Sequence, residues 1–244
     1  MQCDLLTLFP EMVANVVSHS IVKRAQDKRL VSIRIHDIRD FSTGRHRVAD
    51  DTPYGGGSGM IMKAEPIFRA VEALGEERNQ LRIIVPSPQG RPFTQRLAEE
   101  LSRESRRLVW ICGHYEGIDE RVLIRLEPEE FSLGDYVLTG GELPALVMID
   151  AAVRLVPGVV GDPVSVEEDS FAEPLLDFPH YTKPQTIRGY RVPDVLVSGD
   201  HEAIRRWRRK EALRNTYRKR PDLLQQESLT REDQQFLSEI AQEI

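Results

Sequence analysis

From Leu81 to Val156 the chain repeats one unit: an apolar run, a loop, and a segment with helical spacing. Leu81-Arg82-Ile83-Ile84-Val85 stops at Pro86, and residues 94–105 follow with an amphipathic helical pattern. Leu108-Val109-Trp110-Ile111-Cys112 leads through a loop to residues 119–126. Asp135-Tyr136-Val137-Leu138 reads as a further strand, and residues 143–156 as a helix. This alternation predicts an α/β fold with a mostly parallel sheet. In such sheets ligands bind at loops beyond the C-terminal ends of the strands. Upstream, Asp4-Leu5-Leu6-Thr7-Leu8-Phe9 reads as a buried strand stopped by Pro10. Residues 11–29 carry one helical pattern, Val31-Ser32-Ile33-Arg34-Ile35 alternates as a second strand, and residues 65–74 read as a helix. Residues 37–59 form a long polar loop, a length that usually goes with function or mobility.

Two of the loops carry glycines. Gly113-His114-Tyr115-Glu116-Gly117 follows one apolar run, and Ser132-Leu133-Gly134 through Thr139-Gly140-Gly141 surrounds the next. A glycine lacks Cβ and so lets a ligand or another chain segment approach the backbone. Neither loop has the GxGxxG spacing at a strand-to-helix junction or the GxxxxGK[ST] of a phosphate loop. Residues 50–59, Asp50-Asp51-Thr52-Pro53-Tyr54-Gly55-Gly56-Gly57-Ser58-Gly59, also fail that test: Lys63 comes too late and no Lys-Ser/Thr follows the glycines.

With 40% apolar and 30% charged residues in 244, the composition is that of a globular protein with a real core, in one large or two modest domains. No apolar run is long enough to cross a bilayer. The first twenty residues lack a basic n-region and are interrupted by Asp4, Pro10 and Glu11, so no signal peptide and a cytoplasmic location are expected. Cys3 and Cys112 make no disulfide framework, and the six scattered histidines show no metal-ligand spacing. The net charge of −6 hides an uneven distribution. Between residues 201 and 220 stand Arg205, Arg206, Arg208, Arg209, Lys210, Arg214, Arg218, Lys219 and Arg220, opposed only by Glu202 and Glu211. The charges lie on nearly all sides of the helix this stretch would form, leaving little room for a buried stripe. It reads either as a solvated helix or as a nucleic-acid surface.

Pro157-Gly158 closes the α/β region, and residues 161–174 have the acidic, turn-rich composition of a linker. The expected organisation is therefore a domain over residues 1–160, a linker over 161–174, and a smaller, mainly helical domain over 175–244.

The glycine loops come with Leu8-Phe9-Pro10, Pro53-Tyr54-Gly55-Gly56-Gly57-Ser58-Gly59-Met60, Pro86-Ser87-Pro88-Gln89-Gly90, Glu167-Glu168-Asp169-Ser170-Phe171 and Pro179-His180-Tyr181-Thr182-Lys183-Pro184. Together and in this order these segments resemble the bacterial tRNA (guanine-N1)-methyltransferases that act at tRNA position 37, members of the SPOUT superfamily of knotted methyltransferases. The resemblance covers nearly the whole chain. It implies a trefoil-knotted, mostly parallel sheet domain, a trait otherwise rare, with S-adenosyl-L-methionine as methyl donor held largely by backbone hydrogen bonds. The positions it marks for that ligand are Pro86, Ser87, Gly113, Leu133, Gly134, Asp135, Tyr136, Val137, Leu138, Gly140, Gly141 and Pro144, with Tyr115 and Glu116 toward the methyl.

The same resemblance implies that Asp169 is the general base. Guanine N1 carries a proton at neutral pH, and a carboxylate in reach can take it as N1 attacks the methyl. It implies that Arg154 stabilises charge developing on guanine O6, a role compatible with an arginine at a helix C-terminus. For RNA it marks Tyr54, Ser170, Arg205, Arg208, Arg209, Lys210 and Arg214, with Arg45, His46 and Asp50 as further contacts. The partners implied are the tRNA anticodon loop and a second copy of the chain, so that Asp169 and the ligand loops of one site come from different subunits. A Mg2+ requirement also comes with the family, although the sequence shows no cage for the ion. His114 and His180 read as structural rather than metal-binding. Three other readings stay open: an RNA-binding protein without catalysis, a nucleotide hydrolase or transferase using residues 54–59, and a SPOUT enzyme that methylates another RNA position or a ribose, for which Asp169 is the discriminator because ribose methylation needs no base at guanine N1.

Overall fold

The computed structural model describes residues 1–161, 169–225 and 229–243. The chain divides into two compact units, residues 1–161 and 162–244.

In the first unit five strands form one parallel sheet: β1 (Gln2–Thr7), β2 (Ser32–Asp37), β5 (Leu81–Pro92), β6 (Arg107–Ile111) and β7 (Glu129–Ser132), in the order β2-β1-β6-β5-β7. The two-residue strands β3 (Asp50–Asp51) and β4 (Ile61–Met62) pair separately. Parallel strands are covered on both faces, which is why the inner strands β1, β5 and β6 are mostly apolar and buried, whereas the edge strands β2 and β7 carry charged and polar residues. Successive side chains alternate between faces, and the core divides accordingly. Leu5, Trp110, Ile84 and Phe131 pack with α1 (Pro10–Val17), α2 (Ser20–Asp27), α4 (Gln95–Ser102) and α6 (Glu142–Val153). Leu6, Ile83, Val109 and Ile111 pack with α3 (Ala64–Glu72) and α5 (Glu120–Leu126).

Two sequence expectations change here. The single helix over 11–29 is two helices, because the chain turns at Ser18 and His19 and Ser20 takes a left-handed φ of 52°. Residues 135–138 are not a strand. The edge position beside β5 is filled by β7, whose Phe131 is fully buried, whereas Val137 is 84% exposed. β5 is longer than expected and breaks register between Pro86 and Arg91, which leaves residues 87–90 without register partners in β7.

The second unit is built on α7 (His201–Lys219) and α8 (Arg231–Glu243), with a small core of Leu175, Leu213, Phe236 and Ile240. Asp200 caps α7 by accepting from the Ala203 amide at 3.0 Å. The expectation that α7 lacks a buried stripe is corrected: Ala212, Leu213 and Thr216 are buried, and Thr216 satisfies its hydroxyl on the Ala212 carbonyl at 2.8 Å. The basic residues are largely paired with acids. Arg209 bonds to Asp233 and Glu173, Arg206 to Glu232, Lys210 to Glu239, and Arg214 to Glu211 and Glu243. No helix among the described residues is long and apolar enough to cross a membrane. Of the linker expected over 161–174, residues 162–168 lie outside the described residues.

Burial pushes the Asp233 carboxyl up, but bonds from Arg209 and Thr230 outweigh it and hold the group at about 2. A carboxyl held below its unfolded value of about 3.9 adds stability above that value and loses it as pH falls to the folded value. Urea unfolding of the full chain should therefore show stability declining between roughly pH 4 and pH 2. Asp233→Asn should lack that component and cost about 2 kcal/mol at neutral pH. An unchanged acid profile in the variant would remove Asp233 as the cause.

Candidate active site

The irregular stretch of residues 86–89 within β5 and the loops that follow β6 and β7 converge at one end of the sheet and enclose a cavity of about 430 Å³. Its lining includes Pro86, Ser87, Gly113, Tyr115, Glu116, Leu133, Gly134, Tyr136, Val137, Leu138, Gly140, Gly141 and Pro144. Asp135 is exposed and does not line it. The apolar character of residues 136–138 therefore serves a cavity wall rather than a strand.

Local bonds explain how short loops hold this shape. The Ser132 hydroxyl bonds both to the amide and to the carbonyl of Gly134, each at 3.1 Å, and the Tyr136 amide bonds back to the Gly134 carbonyl. The Glu116 amide donates to Met60 and the Met62 amide to Gly117, bracing the second loop from β4. Asp119 caps α5 through the Arg121 amide. The two glycine loops are then joined to each other. The Gly141 amide donates to the Gly113 carbonyl at 2.8 Å, and His114 bridges Gly140. Glycine is required at this seam. A Cβ on Gly140 would sit 2.2 Å from His114 Nε2, and one on Gly141 2.9 Å from Cys112 Cα.

Beneath the seam lies Glu142, only 1% exposed at the start of α6. It accepts from the Thr7 hydroxyl at 2.6 Å, and His114 Nε2 stands 3.0 Å from its other oxygen. Thr7 in turn accepts from the Phe9 amide, and the Phe9 ring packs 4.6 Å from that of His114. Sequence reasoning missed Glu142 and Thr7. An acid in the first turn of a helix is ordinarily a solvated complement to the dipole, and nothing local distinguishes a buried one.

The charge of the lining is one-sided. Glu116, Glu120 and Glu130 contribute to it, and neither Lys nor Arg does. A phosphate site needs cationic or helix N-terminal donors, so the lining suits a ligand bearing positive charge. Cys112, fully buried below, has its thiol pushed well above the ordinary range by burial and by Glu142, so it is inert. No group of three or more metal-ligating side chains occurs among the described residues.

The remaining marked residues lie elsewhere. Tyr54 is fully exposed on the β3–β4 loop, whose Gly59 abuts the Glu116 carboxylate. Asp50 is in β3, while Arg45 and His46 are exposed. Arg154 follows α6 directly. Twelve helical residues span about 18 Å, so Arg154 stands at the far end of α6 from Glu142 and the cavity. Asp169 belongs to the second unit, in a turn where the Ala172 amide bonds to its carbonyl and the Ser170 hydroxyl accepts from the Asp177 amide. It lines a separate cavity of about 550 Å³ in that unit, with Glu173, Phe178, His201, Arg205, Arg208 and Arg209. Arg208 lies over the Phe178 ring at 4.8 Å. His180 pairs with Asp177 at 2.7 Å.

A five-stranded parallel sheet with an acid-lined cavity at its strand ends, walled by backbone-rich loops, defines an α/β protein with a cavity of small-molecule size. Residues 1–226 match the family described as tRNA (Guanine-1)-methyltransferase TrmD. The chain is 54% identical over 244 residues to a tRNA (guanine-N(1)-)-methyltransferase of Dictyoglomus turgidum, covering 100% of this chain and 98% of the relative. Proteins of the same name from Brevibacillus brevis and Geobacter metallireducens are 54% and 53% identical over 100% and 98% of this chain, and over 99% and 98% of their own lengths. The chain belongs to the tRNA (guanine-1)-methyltransferase family.

Gly140→Ala should displace His114 and open the seam. Binding of S-adenosylmethionine, measured by calorimetry, should weaken at least roughly tenfold, the scale of one lost charge-assisted bond. Gly161→Ala, with no atom of the described residues within 4 Å of the added Cβ, should bind as the native chain does. Native affinity in Gly140→Ala would show that the seam does not shape the site.

Proposed function

We propose that this chain transfers a methyl group from S-adenosyl-L-methionine to N1 of guanosine 37 in tRNA. The observation that carries the reading is the cavity itself: backbone-rich loops, apolar walls and three glutamates with no lysine or arginine. Those features fit an adenosyl group joined to a sulfonium and an ammonium. They argue against the phosphates that a nucleotide hydrolase would hold.

When bound, S-adenosylmethionine supplies an electrophilic methyl on sulfur. Leu133, Val137 and Leu138 would offer apolar surface to a heterocycle, and the carboxylate of Glu116 would suit the cationic end. Asp169 takes the N1 proton as the N1 lone pair forms the new bond to carbon and the sulfur–carbon bond breaks. Arg154 holds the negative charge that develops on O6. The target base leaves its stack to reach the methyl, as base-modifying chemistry requires.

In one chain α6 separates Arg154 from the cavity by its full length, which supports a site shared between two copies. α6 is apolar on nearly every side, and Leu143 and Val147 remain exposed on it, beside exposed Met12 and Val16 of the adjoining α1. A helix apolar all round is normally covered on both sides, and a second copy is the cover we infer. The trefoil knot is likewise part of the proposal. It rests on membership of the family. Residues 1–160 would then be the catalytic domain and residues 175–244 the tRNA-facing one. For Mg2+ the described side chains offer no cage, and no step is assigned to it.

The test is methyl transfer from labelled S-adenosylmethionine to tRNA transcripts with guanosine at position 37, beside transcripts with that base replaced. Label should appear as N1-methylguanosine in the first set alone. Asp169→Ala should lower kcat by at least about a hundredfold, the usual weight of general-base catalysis, with donor affinity retained. Label in both transcript sets would sink the position, and undiminished transfer in the variant would sink the base.

A further inference from the structure

We propose that residues 180–191 of the second unit form an RNA-binding finger that takes unpaired nucleotides of the tRNA, an inference that rests on the tRNA reading above. The argument begins with α7. Five of its basic residues, Arg205, Arg206, Arg209, Lys210 and Arg214, are held by carboxylates of α7 itself, of α8 or of Glu173. Their positive charge is therefore largely neutralised within the unit. A polyanion needs cations that are not already matched.

Arg218 and Lys219 at the end of α7 carry no ion pair among the described residues, and residues 180–191 supply further unmatched cations. The stretch reads His-Tyr-Thr-Lys-Pro-Gln-Thr-Ile-Arg-Gly-Tyr-Arg and contains no acid. Every residue in it is exposed. Among the described residues no ion pair engages Lys183 or Arg188, while Arg191 pairs only with Asp194, at 2.8 Å.

The geometry adds a base-stacking platform. β8 (Thr186–Ile187) and β9 (Tyr190–Arg191) form an antiparallel hairpin in which Ile187 faces Tyr190. Directly opposed residues share a face, so these two side chains stand together, Ile187 60% and Tyr190 82% exposed. Arg188 and Gly189 make the turn, both with positive φ, 50° and 84°. That is the primed two-residue turn, which favours Asn-Gly and strains an arginine. Strain is retained where a side chain is used, and here it puts an exposed arginine at the tip of the hairpin, two residues before Tyr190. Aromatic faces flanked by cations bind single-stranded nucleic acid: the ring stacks a base and the cations track the phosphates.

The experiment measures tRNA affinity by filter binding across a salt series, using the full chain and four variants. Tyr190→Ala should weaken binding roughly tenfold or more, and Tyr190→Phe, which keeps the stacking face, should restore most of it. Arg188→Asn suits the turn and removes the charge, and should lower the salt slope by about one phosphate contact. Arg218→Ala, on the exposed end of α7 away from the hairpin in sequence, serves as a comparison. S-adenosylmethionine affinity and Tm should be unchanged throughout. Native tRNA affinity in Tyr190→Ala and Arg188→Asn would overturn the finger while leaving the methyltransferase reading intact. Loss of dimer in Tyr190→Ala by sedimentation would reassign the hairpin to a subunit contact. No tRNA binding by the native chain would overturn both readings.

Discussion

The seam between the two glycine loops is the contact on which the cavity depends. One backbone bond, from the Gly141 amide to the Gly113 carbonyl, ties the loop after β6 to the loop after β7. The loops approach this closely only because Gly140 and Gly141 carry no Cβ. Glu142 secures the seam from below by holding His114 on one side and Thr7 of β1 on the other. Three segments far apart in sequence thus meet at one buried carboxylate. Such a carboxylate must be hydrogen-bonded to be tolerated, and each of its partners is fixed in the sheet or in a loop wall.

The sheet makes this possible. Parallel order places the C-terminal ends of β5, β6 and β7 side by side, and at the register break in β5 Ser87, Pro88 and Gln89 form the third wall. The scaffold is apolar on both faces and rigid, while the recognition surface is mostly main chain. That division suits a ligand read by shape and hydrogen bonds, with charge supplied only by acids. The second unit uses charge differently. Arg206, Arg209, Lys210 and Arg214 are spent on joining α7 to α8, while among the described residues Lys183 and Arg188 of the hairpin region and Arg218 and Lys219 at the end of α7 carry no ion pair.

The parallel α/β character could be read from the chain because Leu81–Val85 and Leu108–Cys112 are apolar runs of strand length followed by helical periods, and these side chains are buried as such a pattern requires. The lining loops were visible through their glycines. Other features were not legible, for identifiable reasons. Tyr136, Val137 and Leu138 have the composition of a strand, but apolar side chains lining a cavity look the same in sequence as those lining a core. The break at Ser18–Ser20 leaves the helical spacing on either side intact. The neutralisation of α7 depends on acids such as Glu232, Asp233 and Glu243, which come near only when α8 folds back. Glu142 shows its burial only once β1 and His114 are in place.

The most direct test of this account is the affinity of Glu142→Gln for S-adenosylmethionine by titration calorimetry, with Thr7→Val measured beside it and Tm recorded for both. If the buried carboxylate holds the seam that shapes the cavity, Glu142→Gln should weaken binding about tenfold or more, equivalent to about 1.4 kcal/mol. Thr7→Val should follow in the same direction by less, and both variants should remain folded. A folded Glu142→Gln chain that binds as tightly as the native one would contradict the central claim.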